Sequence, residues 1–232
     1  MVPKITFVIP VFNRSEYLKE TLISLCTQTI EDWACIVVDD YSTEDIRSIV
    51  ESFNDSRISY VRNCSAKGVS GARNFGNTLV TTDWIALADS DDINLPRRVE
   101  VSQKYISDFP EADVFYSALY SIDDGTYQVR NWRHGSAYDR EKLYKKNFIA
   151  NNTALYRKES IEKIGGYDET LVSAEDYDVW LKFADIHATF IFIDEPLVLY
   201  RRHKGQFASE IDGQNEMRKN ADFVRDRHAK FV

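Results

Sequence analysis

Three aspartates stand directly after a short apolar run in the first half of the chain. The run covers the five residues 84–88, and Asp89, Asp91 and Asp92 follow it. Such a run, bounded by polar residues, is typical of a strand buried on both faces. Carboxylates this close repel one another unless a positive group lies between them. Because Mg²⁺ is typically held by one or two carboxylates together with substrate phosphates, the pattern predicts a cation site for a phosphorylated ligand at a sheet edge.

A second interpretation of these aspartates is structural. Aspartate side chains make turns and cap helices, and Asn94 followed by Pro96 is typical of the start of a helix. One aspartate alone would fit this alternative better than the first. Three within four residues favour the cation site.

Polar residues also follow two other predicted strands. They are residues 10–13 and the pair Asp39 and Asp40. Ligands of open α/β sheets bind beyond the carboxyl ends of the strands, so these residues and the three aspartates predict one acidic rim. Such a rim holds phosphate only with a cation and a basic residue. Arg73, within the glycine-containing segment 68–76, is the candidate for that residue, although its glycines fit a turn and close helix packing equally well.

Apolar patterns predict the elements that position this rim. Strands are predicted at 5–10, 34–38, 58–61 and 84–88, with helices at 15–28, 43–53 and 70–80. This alternation predicts an α/β fold with a mostly parallel, doubly wound sheet. After it, strands are predicted at 114–122, 126–129, 153–156, 190–193 and 197–200, with helices at 139–145, 159–164 and 175–185 and a helical end. We expect a single domain over 1–232, with a nucleotide-binding half at 1–110, an acceptor half at 111–205 and a C-terminal helical segment at 206–232.

Two residues of the second half could also do chemistry. Asp176 begins a helix and shares its face with the apolar stripe 179, 180, 183 and 184, so it points inward and could be a general base. Capping of the helix N-terminus is the slightly better alternative from this pattern alone. His203 lies in a basic loop, and its imidazole could complete a metal site if that loop folds back over the aspartates.

Charge and composition exclude several classes of protein. The net charge of −8 argues against a nucleic-acid binder, because such proteins usually carry a basic excess. The basic residues between 218 and 230 fit a solvated helix face, with weak peripheral contact to anionic lipid as the alternative. Sparse cysteines without metal or disulfide spacing favour a reducing compartment. No apolar stretch reaches the roughly 18 residues of a membrane helix, and we expect no signal peptide. We therefore expect a cytoplasmic protein without a transmembrane segment.

Taken in order, the motifs resemble those of the family 2 glycosyltransferases, which have the GT-A fold. The resemblance spans residues 5–205. It is carried by FVIPVFNRSEYLKETLISLCTQT at 7–29, IVVDDYST at 36–43, GVSGARNFG at 68–76, ALADSDD at 86–92, IGGYDETLVSAEDYDVWLKFA at 164–184 and LYRRH at 199–203.

The resemblance implies a nucleotide site. Pro10, Val11 and Asn13 match the first loop around the nucleotide. Asp39 is similar to the residue that hydrogen-bonds the base, usually uracil, although Tyr41 stands where the family often has glycine. Arg73 is similar to the family arginine near the base and the diphosphate.

The resemblance also implies a metal site and a catalytic base. Asp89-Ser90-Asp91 matches the DxD motif, in which the first aspartate contacts ribose and the second holds Mg²⁺ or Mn²⁺ on the diphosphate. His203 resembles the histidine that approaches the metal from the C-terminal side. Asp176 matches the catalytic base.

The expected activity is inverting transfer of a sugar from a nucleotide sugar, usually UDP-linked, to a saccharide or lipid-linked saccharide acceptor, in bacterial surface polysaccharide or glycolipid assembly. Glu175 is the second candidate for the base, and Trp132 and Trp180 are candidates for acceptor contacts. A nucleotidyltransferase and a catalytically inactive sugar-nucleotide binding module are the alternatives.

Overall fold

The first half of the chain alternates strands and helices, as its sequence predicts. The structure, a computed structural model, describes residues 4–206 and 211–229. Its first elements are β1 (Ile5–Val11), α1 (Ser15–Cys26), β2 (Trp33–Asp39), α2 (Ile46–Ser52), β3 (Ile58–Arg62), α3 (Val69–Leu79) and β4 (Trp84–Leu87). The four strands are parallel and lie in the order β3-β2-β1-β4. Their carboxyl ends, which carry the predicted rim, therefore meet at one edge of the sheet.

Strand β1 is buried on both faces. Phe7 and Ile9 belong to one apolar cluster together with Leu18 and Leu22 of α1, whereas Val8 belongs to a second cluster. Successive side chains of a strand point to opposite faces. A strand with an apolar cluster on each side must therefore be apolar at every position, which explains the uninterrupted apolar runs.

The second half mixes strand directions. Its elements are β5 (Ile93–Asn94), α4 (Arg98–Asp108), β6 (Val114–Asp123), β7 (Val129–His134), α5 (Arg140–Lys145), a 3₁₀ turn (Asn151–Thr153), β8 (Ala154–Arg157), α6 (Lys158–Lys163), α7 (Glu175–Asp185), β9 (Phe190–Arg202) and α8 (Ile211–His228). Strand β8 runs antiparallel to both β4 and β6 and so joins the two halves into one sheet. The parallel pair β6 and β9 forms the middle of the second half.

The region predicted as two strands at 190–193 and 197–200 is a single strand, β9. The pairing with β6 passes from Ser117–Ile193 to Ala118–Pro196, so β9 carries extra residues at this point. A proline cannot donate a hydrogen bond to a neighbouring strand and is tolerated at a bulge. The irregular register therefore accommodates Pro196 without ending the strand, and the prediction of a break was wrong.

Two predicted boundaries also differ from the structure. Asn94 does not cap a helix: it lies in β5, its side chain accepts a hydrogen bond from Arg98, and α4 begins only at Arg98. In the hairpin, the turn extends beyond the expected Asp124 and Gly125, and β7 begins at Val129. Gly125 and Tyr127 both have positive φ, at 77° and 50°, and this longer turn occupies most of the predicted strand 126–129.

Helix α8 is fixed onto α7 by buried charges. Asp178 is fully buried, with His228 Nε2 at 3.0 Å and Arg227 Nη2 at 3.4 Å from Oδ1, and Lys182 Nζ at 2.9 Å from Oδ2. Burial by itself would raise the pKa of Asp178, but hydrogen bonds from His228 and Lys182 lower it below its usual value. Removing one partner of such a cluster leaves an uncompensated buried charge. The cluster therefore holds the helix that begins with Glu175.

Candidate active site

A cleft of about 980 Å³ lies beyond the carboxyl ends of β1, β2 and β4, where the acidic rim was predicted. Residues from both halves of the chain line it. Among them are eight of the predicted site residues, namely Pro10, Val11, Arg73, Asp89, Ser90, Asp91, Glu175 and Asp176. The fold thus brings residues more than a hundred positions apart in sequence to one shared space.

Asp89 and Asp91 line the cleft, whereas Asp92 turns into the protein. The Asp92 side chain accepts hydrogen bonds from the backbone N–H of Arg201 at 2.8 Å and from Asn152. Burial, together with the charges of Asp91 and Asp89, raises the pKa of Asp92 well above its usual value. The structural interpretation therefore holds for Asp92, which fixes the turn, and the ligand-binding prediction remains for the other two aspartates.

Arg73 connects the rim to α7. Its side chain is almost fully buried, with Nη2 3.0 Å from Asp89 Oδ1 and Nη1 2.8 Å from Glu175 Oε1. Burial raises the pKa of Asp89, although the charge of Arg73 opposes this effect. A buried guanidinium with two carboxylate partners is a rigid connection. Arg73 therefore sets the position of Glu175, and with it the start of α7, relative to the first half.

Asp91 faces two nitrogen-bearing side chains. Arg14 forms an ion pair with Asp91 Oδ2, and His203 Nε2 lies 3.0 Å from the same oxygen. The loop after β9 thus folds back over the aspartates. This was the condition under which His203 could complete a metal site. The ring of His203 also packs on Tyr17, with 4.6 Å between ring centroids.

The chemistry of Asp91 and His203 fits a divalent cation. The carboxylate oxygen and the imidazole nitrogen lie side by side, and carboxylates suit Mn²⁺ while imidazoles suit divalent transition metals in general. Within residues 4–206 and 211–229, no group of three or more His, Cys, Asp or Glu residues could hold a metal ion. A cation at Asp91 and His203 would therefore need oxygen atoms from a bound ligand, which agrees with the way Mg²⁺ is held on phosphates.

Asp176 lies in the cleft at the start of α7. Its Oδ2 accepts a hydrogen bond from Asn147 Nδ2 at 3.1 Å, and Oδ1 accepts one from the backbone N–H of Tyr177 at 2.7 Å. Burial, with the charge of Glu175 as the second cause, raises the pKa of Asp176 to about 7. The carboxylate thus accepts a hydrogen bond from a helix N–H group and lines the cleft, but it is not the N-cap, because that position is Ala174, whose side chain makes no capping hydrogen bond.

The backbone before α7 is in a conformation that few side chains adopt. Ala174 has φ 59° and ψ 18°, the left-handed region, and its carbonyl accepts the hydrogen bond of Asp178 N–H. Left-handed conformations of residues other than glycine cluster at functional sites, where the surrounding structure maintains them. Here Ala174 sets the direction in which α7 begins, with Glu175 and Asp176 in its first turn.

Of the two adjacent aspartates predicted for the rim, Asp40 lines the cleft, whereas Asp39, the one expected to contact the base, does not. The Asp39 side chain is buried outside the cleft and accepts hydrogen bonds from Ser42 N at 2.8 Å, Tyr60 Oη at 2.8 Å and Arg62 Nη1 at 2.5 Å. Burial would raise its pKa, but these hydrogen bonds lower it below its usual value. Asp40 lines the cleft instead. The Asp40 carboxylate also has partners within the protein, since it accepts hydrogen bonds from Asn63 Nδ2 at 2.8 Å and from the backbone N–H of Gly68 at 2.9 Å.

Two other predicted residues line a second groove beside the main cleft. Asn13 and His203 border this groove of about 680 Å³, and Arg14 borders both spaces. The Asn13 side-chain oxygen accepts a hydrogen bond from the backbone N–H of Thr43 at 2.8 Å. Asn13 therefore holds the loop after Asp40 in place, and it is not among the residues that line the main cleft.

The structure describes the side chain of only one of the two tryptophans that were expected to contact an acceptor. Trp180 is 0% exposed and packs in the apolar core with Phe183, so the proposal that it contacts an acceptor was wrong. The Trp132 side chain lies outside the described residues. Several cleft residues were not predicted from the sequence, namely Arg14, Lys67, Asn147, Asn151 and Asn152. A basic residue directly after the first-strand loop was a usable signal for Arg14, but the segment between α5 and β8 has no periodic pattern that could mark its asparagines.

No helix in the described portion of the chain combines the length and the apolar character needed to cross a membrane.

Similarity to known proteins agrees with this geometry. The family model described as glycosyl transferase family 2 matches residues 6–165. An uncharacterized glycosyltransferase of Methanocaldococcus jannaschii, MJ1057, is 29% identical over 219 residues, which cover 91% of this chain and 76% of that protein. Chondroitin synthase of Escherichia coli is 28% identical over 234 residues, covering 100% of this chain but only 32% of that protein. The putative colanic acid biosynthesis glycosyl transferase WcaA of Escherichia coli K12 is 28% identical over 185 residues, 78% of this chain and 66% of that protein.

Solved structures show the same fold. S. aureus TarS 1-349 in complex with UDP-GlcNAc aligns with a TM-score of 0.76 over 98% of this chain and 72% of that chain, at 20% identity. The complex of the same protein with UDP aligns with a TM-score of 0.69 over 95% and 65%, at 19% identity. The fold is therefore the GT-A fold, and because the family model covers more than half of the chain, the protein belongs to glycosyl transferase family 2 and is a glycosyltransferase.

Proposed function

We propose that the protein transfers a sugar from a UDP-sugar to an acceptor hydroxyl with inversion of configuration, and that Asp176 is the general base. The observation that carries the proposal is the position of Asp176, a carboxylate with a pKa of about 7 in the same cleft as Asp89 and Asp91. A base is most effective when its pKa lies near the pH at which it works.

In the proposed reaction, the acceptor oxygen forms a bond with the anomeric carbon while the bond from that carbon to the diphosphate oxygen breaks. Asp176 takes the proton of the acceptor hydroxyl. The hydrogen bond from Asn147 orients the carboxylate, and the ion pair of Glu175 with Arg73 fixes the adjacent residue. The acceptor attacks from the face opposite the leaving group, so the configuration inverts and no covalent sugar–enzyme intermediate forms.

The donor would lie along the first half of the cleft. Asp40 is proposed to contact the base in place of Asp39, with Pro10 and Val11 beside it and Asp89 near the ribose. Lys67, which also lines the cleft, would face the negative charge of the nucleotide. A UDP-linked donor is supported by the UDP and UDP-GlcNAc complexes of TarS, a protein of the same fold.

Asp91 and His203 are the proposed holders of Mn²⁺ or Mg²⁺, since their side-chain atoms lie 3.0 Å apart. When bound, such a cation would neutralise negative charge on the departing diphosphate. Asp92 does not share this role, because its carboxylate does not line the cleft and is turned toward Arg201 and Asn152.

The acceptor is proposed to be a saccharide or a lipid-linked saccharide in the assembly of a bacterial surface polysaccharide or glycolipid. The names of two relatives, chondroitin synthase and a colanic acid biosynthesis glycosyl transferase, support this class. We propose a cytoplasmic location. We also propose that the protein contacts the inner face of the membrane peripherally.

The test is the identity of the released product. The purified protein is incubated with Mn²⁺ and a panel of UDP-sugars, and nucleotide products are separated by chromatography. We expect UDP to be released slowly even with water as the acceptor, and faster when a suitable glycan is present. Release of UMP together with sugar 1-phosphate, or of pyrophosphate in a parallel incubation with UTP and a sugar 1-phosphate, would instead indicate nucleotidyl chemistry. Binding of a UDP-sugar without any turnover across glycan acceptors would indicate an inactive binding module.

A further inference from the structure

We propose that Arg14 makes cation binding at Asp91 depend on the nucleotide. Its guanidinium competes with the cation for the Asp91 carboxylate, and it moves to the diphosphate when the nucleotide binds. The inference rests on the proposed cation site and adds a residue that controls when this site is available.

The contacts of Arg14 join three parts of the cleft. Arg14 stands immediately before α1, in the loop after β1, and its Nη1 pairs with Asp91 while Nη2 donates to the carbonyl oxygen of Gly205 at 3.2 Å. The Asp91 side chain is only 5% exposed, whereas that of Arg14 is 30% exposed. The carboxylate is therefore held in place, and the guanidinium is the partner with space to move.

Arg14 and a cation would compete for the same atom. Asp91 Oδ2 is the oxygen that pairs with Arg14 and also the one that lies 3.0 Å from His203 Nε2. Two positive groups next to one carboxylate oxygen repel each other, and the repulsion is strong where water is largely excluded. A cation can therefore bind to Asp91 and His203 only when Arg14 gives up its contact.

Arg73, the other arginine of the cleft, is in a different situation. It is almost fully buried between Asp89 and Glu175, and neither of these carboxylates has to be released for a cation to reach Asp91. Arg14 has one carboxylate partner among the ion pairs of the described residues, and it lines both the main cleft and the adjacent groove. It is thus the arginine that can exchange Asp91 for a new anionic partner.

A diphosphate supplies that new partner. The planar fork of an arginine matches the geometry of phosphate oxygens, and such charge-assisted hydrogen bonds are strong. Once Arg14 pairs with the diphosphate, Asp91 is available to the cation. Cation and nucleotide should then strengthen each other's binding, and by thermodynamic linkage the factor is the same in both directions.

The experiment measures Mn²⁺ affinity by calorimetry, without and with saturating UDP. We expect Arg14→Gln to bind Mn²⁺ alone about tenfold more tightly than the wild type, because the competing charge is gone. The factor by which UDP improves Mn²⁺ affinity should shrink correspondingly. Arg14→Lys keeps the positive charge but lacks the planar guanidinium group. It should bind Mn²⁺ alone about as weakly as the wild type. Arg97→Gln is the control of equal charge, since Arg97 is exposed and pairs with Glu195 outside the cleft.

Asp91→Asn separates failure of the inference from failure of the cation site. If Asp91→Asn abolishes Mn²⁺ binding while Arg14→Gln binds Mn²⁺ alone as the wild type does, the cation site stands and the role of Arg14 is overturned. If Asp91→Asn binds Mn²⁺ like the wild type, the cation site itself is overturned, and the inference with it. If Arg14→Gln and Arg97→Gln both bind Mn²⁺ more tightly than the wild type and by the same factor, the effect comes from overall charge, and the inference is also overturned. Thermal unfolding of each variant confirms that it is folded.

Discussion

The two sides of the cleft are built from different chemistry. One side, the proposed donor side, comes from the first half of the chain and carries six charged residues, Arg14, Asp40, Lys67, Arg73, Asp89 and Asp91. The other, the proposed acceptor side, comes from the second half, and apart from Glu175 and Asp176 it is made largely of amides and apolar groups, among them Asn147, Phe148, Asn151, Asn152, Val172 and Met217. Paired charges suit a diphosphate, whereas amides and apolar side chains suit sugar hydroxyls and ring faces.

The difference indicates where each kind of specificity resides. On the donor side Arg14 pairs with Asp91, so a diphosphate that binds Arg14 must replace this carboxylate as its ionic partner. On the acceptor side the main demand is for hydrogen bonds. Substitutions on the two sides should therefore change different kinetic parameters, and only Asp176 should affect the chemical step strongly.

The largest expected effect is that of Asp176→Asn. The amide keeps the shape of the side chain but cannot accept the proton, so kcat should fall by about 10²- to 10⁴-fold. The affinity for UDP should remain within about twofold, because the donor-side contacts are unchanged. Asp108→Asn, at an exposed site on α4, is the matched control and should leave both values unchanged. Near-normal turnover of Asp176→Asn would exclude this residue as the base and direct attention to Glu175.

The second prediction compares Asp40 with its neighbour. Both Asp40→Asn and Asp39→Asn should lower the free energy of unfolding by about 1–3 kcal/mol, because Asn63 and the Gly68 N–H lose the anionic partner Asp40, and Tyr60 loses the anionic partner Asp39. Only Asp40→Asn should also weaken UDP binding, by about tenfold or more, since Asp40 lines the cleft and Asp39 does not. Isothermal titration with UDP and urea unfolding of both variants measure the two effects. The reverse pattern would return the base contact to Asp39.

The same pair shows how far the sequence predicts the site. The apolar runs of β1, β2 and β4 are local signals, so the sheet, its acidic rim and the placement of Asp176 could be predicted. Which of two adjacent aspartates lines the cleft depends on where β2 ends, because consecutive side chains alternate between faces. The sequence pattern does not reveal where β2 ends. Nor does it reveal that Asp92 turns into the protein.

Other parts of the structure depend on contacts between distant residues. Strand β9 continues through Pro196 because its pairing with β6 is long and tolerates a bulge. Asn147 reaches Asp176 only because the segment after α5 packs against the start of α7. Secondary-structure propensity and hydrophobic periodicity depend on residues that are close in sequence, so they predict neither of these contacts.

The third prediction concerns a polar group on the acceptor side. The amide oxygen and nitrogen of Asn151 are buried and have no hydrogen-bond partner among the described residues, yet Asn151 lines the cleft. A buried polar group of this kind usually has a bound partner. Asn151→Ala should raise the KM for the sugar substrates about tenfold while UDP affinity is unchanged. Asn215→Ala, at an exposed site on α8, is the control; an unchanged KM in Asn151→Ala would mean that the amide does not contact substrate.

The smallest expected effects are shifts in pH dependence. The base must be ionised, and the pKa of Asp176 is raised to about 7, so kcat/KM should fall as the pH drops through 7 and level off above it. Glu175→Gln removes a charge that raises this pKa and should move the midpoint to lower pH. Asn147→Ala removes a hydrogen bond that lowers it and should move the midpoint to higher pH. Profiles with identical midpoints in all three proteins would show that Asp176 does not control the rate.

The most direct measurement is a crystal structure of the protein with UDP and Mn²⁺, using anomalous scattering to locate the metal. The account predicts a manganese peak bonded to Asp91 and to diphosphate oxygens, with the uracil beside Asp40 and Asp176 facing the space beyond the diphosphate. A nucleotide bound away from Asp40 and Asp89, or manganese bound at a place that Asp91 does not reach, would contradict it.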